Sequence, residues 1–155
     1  METTNTKNSP FATLTLIYTA LIFGQIVFLG IAFYNIQSIK IDISDTSDPF
    51  LYIVPSVGIL AIFLSNLTYN RLILRIDNKD LPFKQKFANY QSACIARYAW
   101  VEAATLFAIV SYFILLNFVF LIFATILILY FITLKPNKNK IIAALKLNPT
   151  DQSLL

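Results

Sequence analysis

Four apolar stretches, at about 11–36, 50–70, 96–116 and 118–134, occupy most of this 155-residue chain. Bilayer hydrocarbon roughly 30 Å thick takes about 20 apolar residues of helix to cross, with a lower limit of about 17. The first three stretches meet that length and the fourth meets the lower limit. Hydrophobic residues are 57% of the chain and charged residues 13%, against roughly 45–50% and 25% in an average soluble domain. The expected fold is therefore all-α and integral to a membrane. It is a four-transmembrane-helix bundle made of two antiparallel hairpins, a single domain over 1–155. The residues left outside the spans provide no room for a separate catalytic domain.

The distribution of charge gives an orientation. Arg71, Arg75, Lys79, Lys84, Lys86 and Arg97 cluster between the second and third stretches, against Asp77 and Asp80. Lys135, Lys138, Lys140 and Lys146 follow the fourth stretch, against Asp151. The connection between the first two carries Lys40 among Asp42, Asp45 and Asp48. Lys and Arg are retained on the cytoplasmic side during insertion, so both termini are expected in the cytoplasm and the 38–49 loop outside. Of the twelve basic residues only Lys40 departs from that arrangement. The expected location is a bacterial inner membrane. The partners of these charges are then the bilayer and its anionic head groups rather than nucleic acid.

The polar start Met1–Pro10 lacks a basic cluster, and the run after it is far longer than the 7–15-residue core of a secretory signal. The first stretch therefore reads as a permanent span. It carries Gln25 near its middle and a small-residue pair, Ala20 and Gly24, of the kind that lets helices approach closely. Pro49 suits the first turn of the second span, and Pro55 beside Gly58 predicts a local kink. Residues 83–95 place Phe83, Phe87, Tyr90 and Cys94 at helical spacing, which predicts an amphipathic helix lying in the cytoplasmic interface and turning into span three. Asn117 alone separates spans three and four, so a tight hairpin is expected there. A second interfacial helix is expected at 138–147, with Ile141, Ile142 and Leu145 on one side. The last eight residues show no apolar pattern and read as disordered.

One carboxylate, Glu102, lies inside the third stretch. An ionised carboxylate costs about 2.5–3.5 kcal/mol at the centre of a membrane helix on insertion scales, and such groups usually face other helices and find a partner. At about 1.5 Å per residue, Glu102 sits roughly 7–8 Å past Arg97. Asn66 lies five residues before Arg71, Tyr130 five before Lys135, and Tyr18 seven after Phe11. Every span thus offers a polar group at nearly one level. The expectation is a buried layer of Glu102, Asn66, Tyr18 and Tyr130, extended by Thr105 one turn on, with Gln25 higher. Arg97 and Glu102 are five apart, which does not suit a facing pair on one helix. Tyr34, Tyr52, Tyr69, Tyr98 and Trp100 read as membrane-boundary aromatics.

The run Arg97-Tyr-Ala-Trp-Val-Glu102-Ala-Ala, with Leu-Lys135-Pro-Asn-Lys-Asn-Lys-Ile-Ile after the fourth stretch, resembles a family of small four-span bacterial inner-membrane proteins of unknown role. In that family an Arg-Trp-Ala-x-x-Glu-Gly-Pro run opens the third span and a Pro-x-Lys-x-Lys-Ile-Ile tail follows the fourth. Here Ala103 and Ala104 stand in place of Gly-Pro, and Tyr98 in place of the Trp. The resemblance implies the same four-span fold over the whole chain and carries no activity with it. The shorter run Ala99-Trp-Val-Glu102-Ala-Ala-Thr-Leu-Phe is similar to the proton-carrying helix of the rotary ATP synthase c subunit, which would imply that Glu102 titrates. Those rings use glycine-rich inner helices, whereas this chain has three Gly. Their carboxylate also lies near mid-membrane.

The chain has no His and one Cys, Cys94, so zinc- or haem-type ligand sets and an internal disulfide are not expected, and no cofactor is implied. Cys94 reads as a small packing residue. No nucleophile–base pair or phosphate-cradling Gly loop is present. The expected role is therefore non-catalytic: a structural or accessory subunit that binds a membrane-complex partner or self-associates as a homo-oligomer. The alternative is a minimal oligomeric transporter or proton/cation-conducting protein with Glu102 as its titrating group. A subunit should hold Glu102 paired, and a transporter should hold it against a water-accessible cavity.

Overall fold

A computed structural model describes residues 10–35, 48–77 and 81–152. Most of the 38–49 connection, with Lys40, and Lys79 lie outside the described residues. All described elements are helices: α1 Pro10–Tyr34, α2 Phe50–Asp77, α3 Phe83–Leu115, α4 Val119–Thr133, α5 Lys138–Leu145 and α6 Pro149–Gln152. By length and composition α1, α2 and α3 each suffice to cross a bilayer. Helix α4 has 15 residues, about 22 Å at 1.5 Å per residue, and counts as a fourth span only together with α5, to which it is bent by 68°. Three to four apolar helices of this kind fit a multi-pass membrane protein.

The four long helices alternate in direction. Tyr18 of α1, Tyr98 of α3 and Phe131 of α4 meet at one end, where Asn66 of α2 also meets Tyr130. Ala32, Val54, Tyr112 and Phe120 of the same four helices cluster at the other end. The first of these will be called the basic end, since Arg97 and Lys135 lie there. Helices α3 and α4 form the middle of the bundle. Helix α2 packs chiefly on α3, and α1 lies against α3 and α4. Small residues of α3, among them Ala93, Ala104 and Ala108, are buried at these contacts, which lets its neighbours come close.

The polarity is inverted relative to a water-soluble bundle. Phe23, Ile59 and Leu16 are 66–71% exposed, whereas Gln25, Ser65, Thr105 and Ser111 are at most 1% exposed. In water a contiguous apolar exterior of this kind drives association; in lipid it costs nothing.

Helix boundaries follow local chemistry. The Asp48 carboxylate accepts from the Phe50 amide at 2.9 Å and caps α2, with Pro49 in the first turn, where a missing N–H is harmless. Pro55 sits within α2 without ending it. Helix α3 leaves its last turn through Leu116, whose φ of 52° is left-handed and whose N–H donates to the Tyr112 carbonyl at 2.7 Å. Asn117 then accepts from the Val119 amide at 3.2 Å and opens α4.

The interfacial helix expected at 83–95 is not a separate element. It is the first part of α3, which runs unbroken for 33 residues, about 50 Å. No Pro or Gly interrupts Phe83–Leu115, so nothing stops the helix where the span begins. The apolar stripe read as lipid-facing is buried in the protein instead: Phe87, Tyr90 and Cys94 share a core cluster with Ile76 of a lengthened α2 and with Ile141 and Leu145 of α5. Helix α5 falls within the expected 138–147 and buries Ile141 and Leu145. Residues 149–152, read as disordered from sequence, form a helical turn, with the Gln152 amide donating to the Leu147 carbonyl at 3.0 Å. The Ala20–Gly24 pair brings no helix close: both residues are exposed, and a Cβ at Gly24 would meet nothing within 4 Å.

Candidate functional site

The polar contacts between helices gather at the basic end around Arg97. Arg97 lies in mid-α3, one residue before the buried Tyr98, so its side chain must run inside the bundle or along its surface. It runs toward α2. One terminal nitrogen donates to Asn66 Oδ1 at 2.6 Å, and the guanidinium carbon stands 4.8 Å from the centre of the Tyr69 ring, one turn beyond Asn66. Charge-assisted donation and a cation–π contact both gain strength away from water. The Asn66 amide nitrogen donates to the Tyr130 hydroxyl at 3.0 Å and to the Ile62 carbonyl at 3.0 Å. Asn66 is thus the hub that joins α2, α3 and α4.

Two further tyrosines serve the end of α4. The hydroxyl of Tyr18 donates to the Ile132 carbonyl and that of Tyr98 to the Leu134 carbonyl, each at 3.3 Å. The last carbonyls of a helix have no partner within it; here the Ile132 carbonyl accepts from the Lys135 amide as well as from Tyr18, and the Leu134 carbonyl accepts from Tyr98. The rings pack as well: Tyr18 stacks on Phe131 at 5.4 Å and meets Tyr98 edge-on at 5.6 Å.

The structure therefore brings Asn66 and Tyr130 into direct contact and sets Tyr18 nearby. It does not bring Glu102 to them. Glu102 is half-buried and makes no hydrogen bond or ion pair with a described residue. Thr105, one turn on, is fully buried and returns its hydroxyl to the Val101 carbonyl at 2.9 Å. Gln25 is buried deeper in the bundle, and neither atom of its amide has a partner. From sequence Arg97 reads as a boundary marker and is weighed as a partner for Glu102 alone, not for Asn66. The signal available was its register: Arg97 lies four residues before Val101 and three after Cys94, on the buried side of α3, where a cation requires a partner.

Beside Arg97 lies a cavity of about 130 Å³, walled by Tyr69, Arg97, Tyr98, Tyr130, Lys135 and Lys140 among others, none of them acidic. It adjoins a wider depression between Phe11 and Lys138 that shares Lys135, Pro136 and Lys140 with it. Among the described residues no three of His, Cys, Asp and Glu come together as a metal site would require. The side chains assembled here are cationic and hydrogen-bond-donating, with Cys94 also in the wall. No family model, curated protein or solved structure matches the chain.

Proposed function

We propose that the chain is a multi-pass membrane protein of non-catalytic role, an accessory subunit that joins a second, different membrane subunit through the flank of α3 bearing Glu102. In this reading it lies in a bacterial inner membrane with the basic end in the cytoplasm. The observation that carries the reading is that Glu102, which a subunit is expected to hold paired, finds no partner among the described residues, so that the pairing is left to another chain. Its flank is shared by Ile95 and Ala99, both exposed, and by Leu106, at spacings of three, four and seven that place them on one face. A carboxylate left unpaired against hydrocarbon is costly, and a helix from another protein that offers a Lys, an Arg or an amide there removes the cost. Ala99 and Ala103 leave room for its backbone. A second copy is the poorer occupant. A two-fold interface on this face sets each residue against its own kind or a near neighbour, so two Glu102 carboxylates would meet.

The test is a photo-reactive side chain at Ala99 in native membranes. The expected product is a protein adduct whose mass differs from twice that of the chain. It should be lost in Glu102→Ala and retained in Lys135→Gln, which is remote from the flank. A product of twice the chain mass, lipid adducts alone, or an adduct indifferent to Glu102→Ala would overturn the reading.

A further inference from the structure

The cavity beside Arg97 carries an inference separate from the Glu102 flank. Three cations contribute to its wall, Arg97, Lys135 and Lys140, and no carboxylate does. Neither lysine is in an ion pair with a described residue, and both are exposed at the mouth. Arg97 is held in place from behind by Asn66 and Tyr69. Its Nε is buried and has no acceptor, an expense that a structure ordinarily avoids. Tyr130 accepts from Asn66, so its own O–H remains free to donate.

These groups are donors and positive charges with no matching acceptor. The guanidinium gives one N–H to Asn66 and keeps its other donors. The remaining donors stand around the space as separate points, which suits an oxyanion with three or four oxygens. The volume is adequate: a cavity of about 150 Å³ holds a benzene-sized molecule, and a phosphate group is smaller. The open depression bounded by Phe11 and Lys138 provides the entrance.

We infer that this cavity is a phosphate-binding site, held by Arg97, Lys135, Lys140 and the Tyr130 hydroxyl. Its ligand is a phosphate group, carried by an anionic phospholipid or free in solution. The lipid source rests on the membrane reading above. The site itself does not, and it is independent of any partner at Glu102.

The experiment uses the purified full chain in detergent. Native mass spectrometry measures retention of phosphatidylglycerol against phosphatidylcholine of the same acyl chains, and thermal unfolding measures the response to inorganic phosphate. The comparison is between the parent chain, Lys135→Gln/Lys140→Gln and Glu102→Ala. Both lysines are exposed, so the double variant should keep its fold, checked by helical circular dichroism. A basic residue at a membrane surface contributes about 1 kcal/mol toward anionic lipid, so retention should fall roughly fivefold per lysine removed. Preference for phosphatidylglycerol that is lost in the double variant and kept in Glu102→Ala supports the site with lipid as its source. A stabilisation by inorganic phosphate that is lost in the same variant, without lipid preference, supports the site with free phosphate as its source. Equal retention of both lipids with no phosphate response, or responses that survive loss of both lysines, would overturn the inference.

Discussion

Arg97 of α3 donates to the Asn66 side-chain oxygen of α2 at 2.6 Å, and this contact fixes the amide's orientation. Arginine has no acceptor, so Oδ1 must face it and the nitrogen must turn to Tyr130. One amide thereby ties three helices at one level. Asn66→Leu removes the acceptor and leaves a half-buried cation with only the Tyr69 ring beside it. Hydrogen bonds to charged groups contribute about 1.5–3 kcal/mol, and the variant should lose roughly that amount. Reversible unfolding of the detergent-solubilised protein measures it. Asn66→Asp keeps an acceptor for Arg97 and gives up the neutral donations to Tyr130 and the Ile62 carbonyl, so it should lose less; equal losses in both variants would show that the Arg97 contact contributes little.

The Tyr98 side chain separates packing from hydrogen bonding. Its ring touches Tyr18 and Phe131, while its hydroxyl reaches the Leu134 carbonyl at 3.3 Å. Tyr98→Phe keeps the ring and should cost about 0.5–1.5 kcal/mol, the net value of one neutral hydrogen bond. Tyr98→Ala opens a cavity beside the Tyr18 and Phe131 rings and should cost about 3–5 kcal/mol, the range for large aromatic truncations. The same unfolding measurement ranks them, and a Phe variant as unstable as the Ala variant would contradict the assignment.

What the sequence made legible follows from physical range. Run length and apolar content locate helices because every backbone group in lipid must be satisfied within its own segment; α1, α2 and α4 begin and end within a few residues of expectation, save for the extension of α2 to Asp77. Counting residues from the boundary charges set Asn66 and Tyr130 at one depth, and the structure bonds them at 3.0 Å. Counting gives depth but not azimuth. Glu102, counted to the same layer, bonds neither Asn66 nor Tyr130, whose partners are each other and, for Asn66, Arg97. The 83–95 segment differs from expectation, as the first part of α3, for a related reason. An amphipathic stripe states that one face is apolar, and it does not state whether lipid or protein covers that face. Here α2 and α5 cover it.

Gly58 tests whether α2 needs a small residue where it crosses α4. It is buried, and a Cβ built on it would stand 3.6 Å from a terminal carbon of Leu127. That is ordinary contact, and the backbone there is plain helix. Gly in a helix interior costs about 1 kcal/mol relative to Ala. Gly58→Ala should therefore stabilise the protein by about 0.5–1 kcal/mol, while Gly58→Leu should destabilise it by overfilling the α2–α4 contact. A rise in the unfolding midpoint for Ala and a fall for Leu is the expected pattern; a fall for Ala would show that the helices need closer approach than these distances indicate.

Leu116 poses the opposite problem, a side chain where the backbone favours none. Its φ of 52° is left-handed, and it is 56% exposed. A residue with a Cβ in that conformation loses about 1–2 kcal/mol relative to the right-handed form, and glycine is the usual choice where a helix ends this way. The exposed Leu116 side chain packs little, so Leu116→Gly should stabilise the α3–α4 turn by up to about 1 kcal/mol. Leu116→Val, branched at Cβ, should destabilise it. If the α3–α4 turn holds the two helices in register, the Gly variant should also resist proteolysis at this turn longer than the parent chain, measured by limited digestion in detergent. Faster cleavage together with a lower midpoint would mean that the Leu116 side chain anchors the turn more than its backbone strains it.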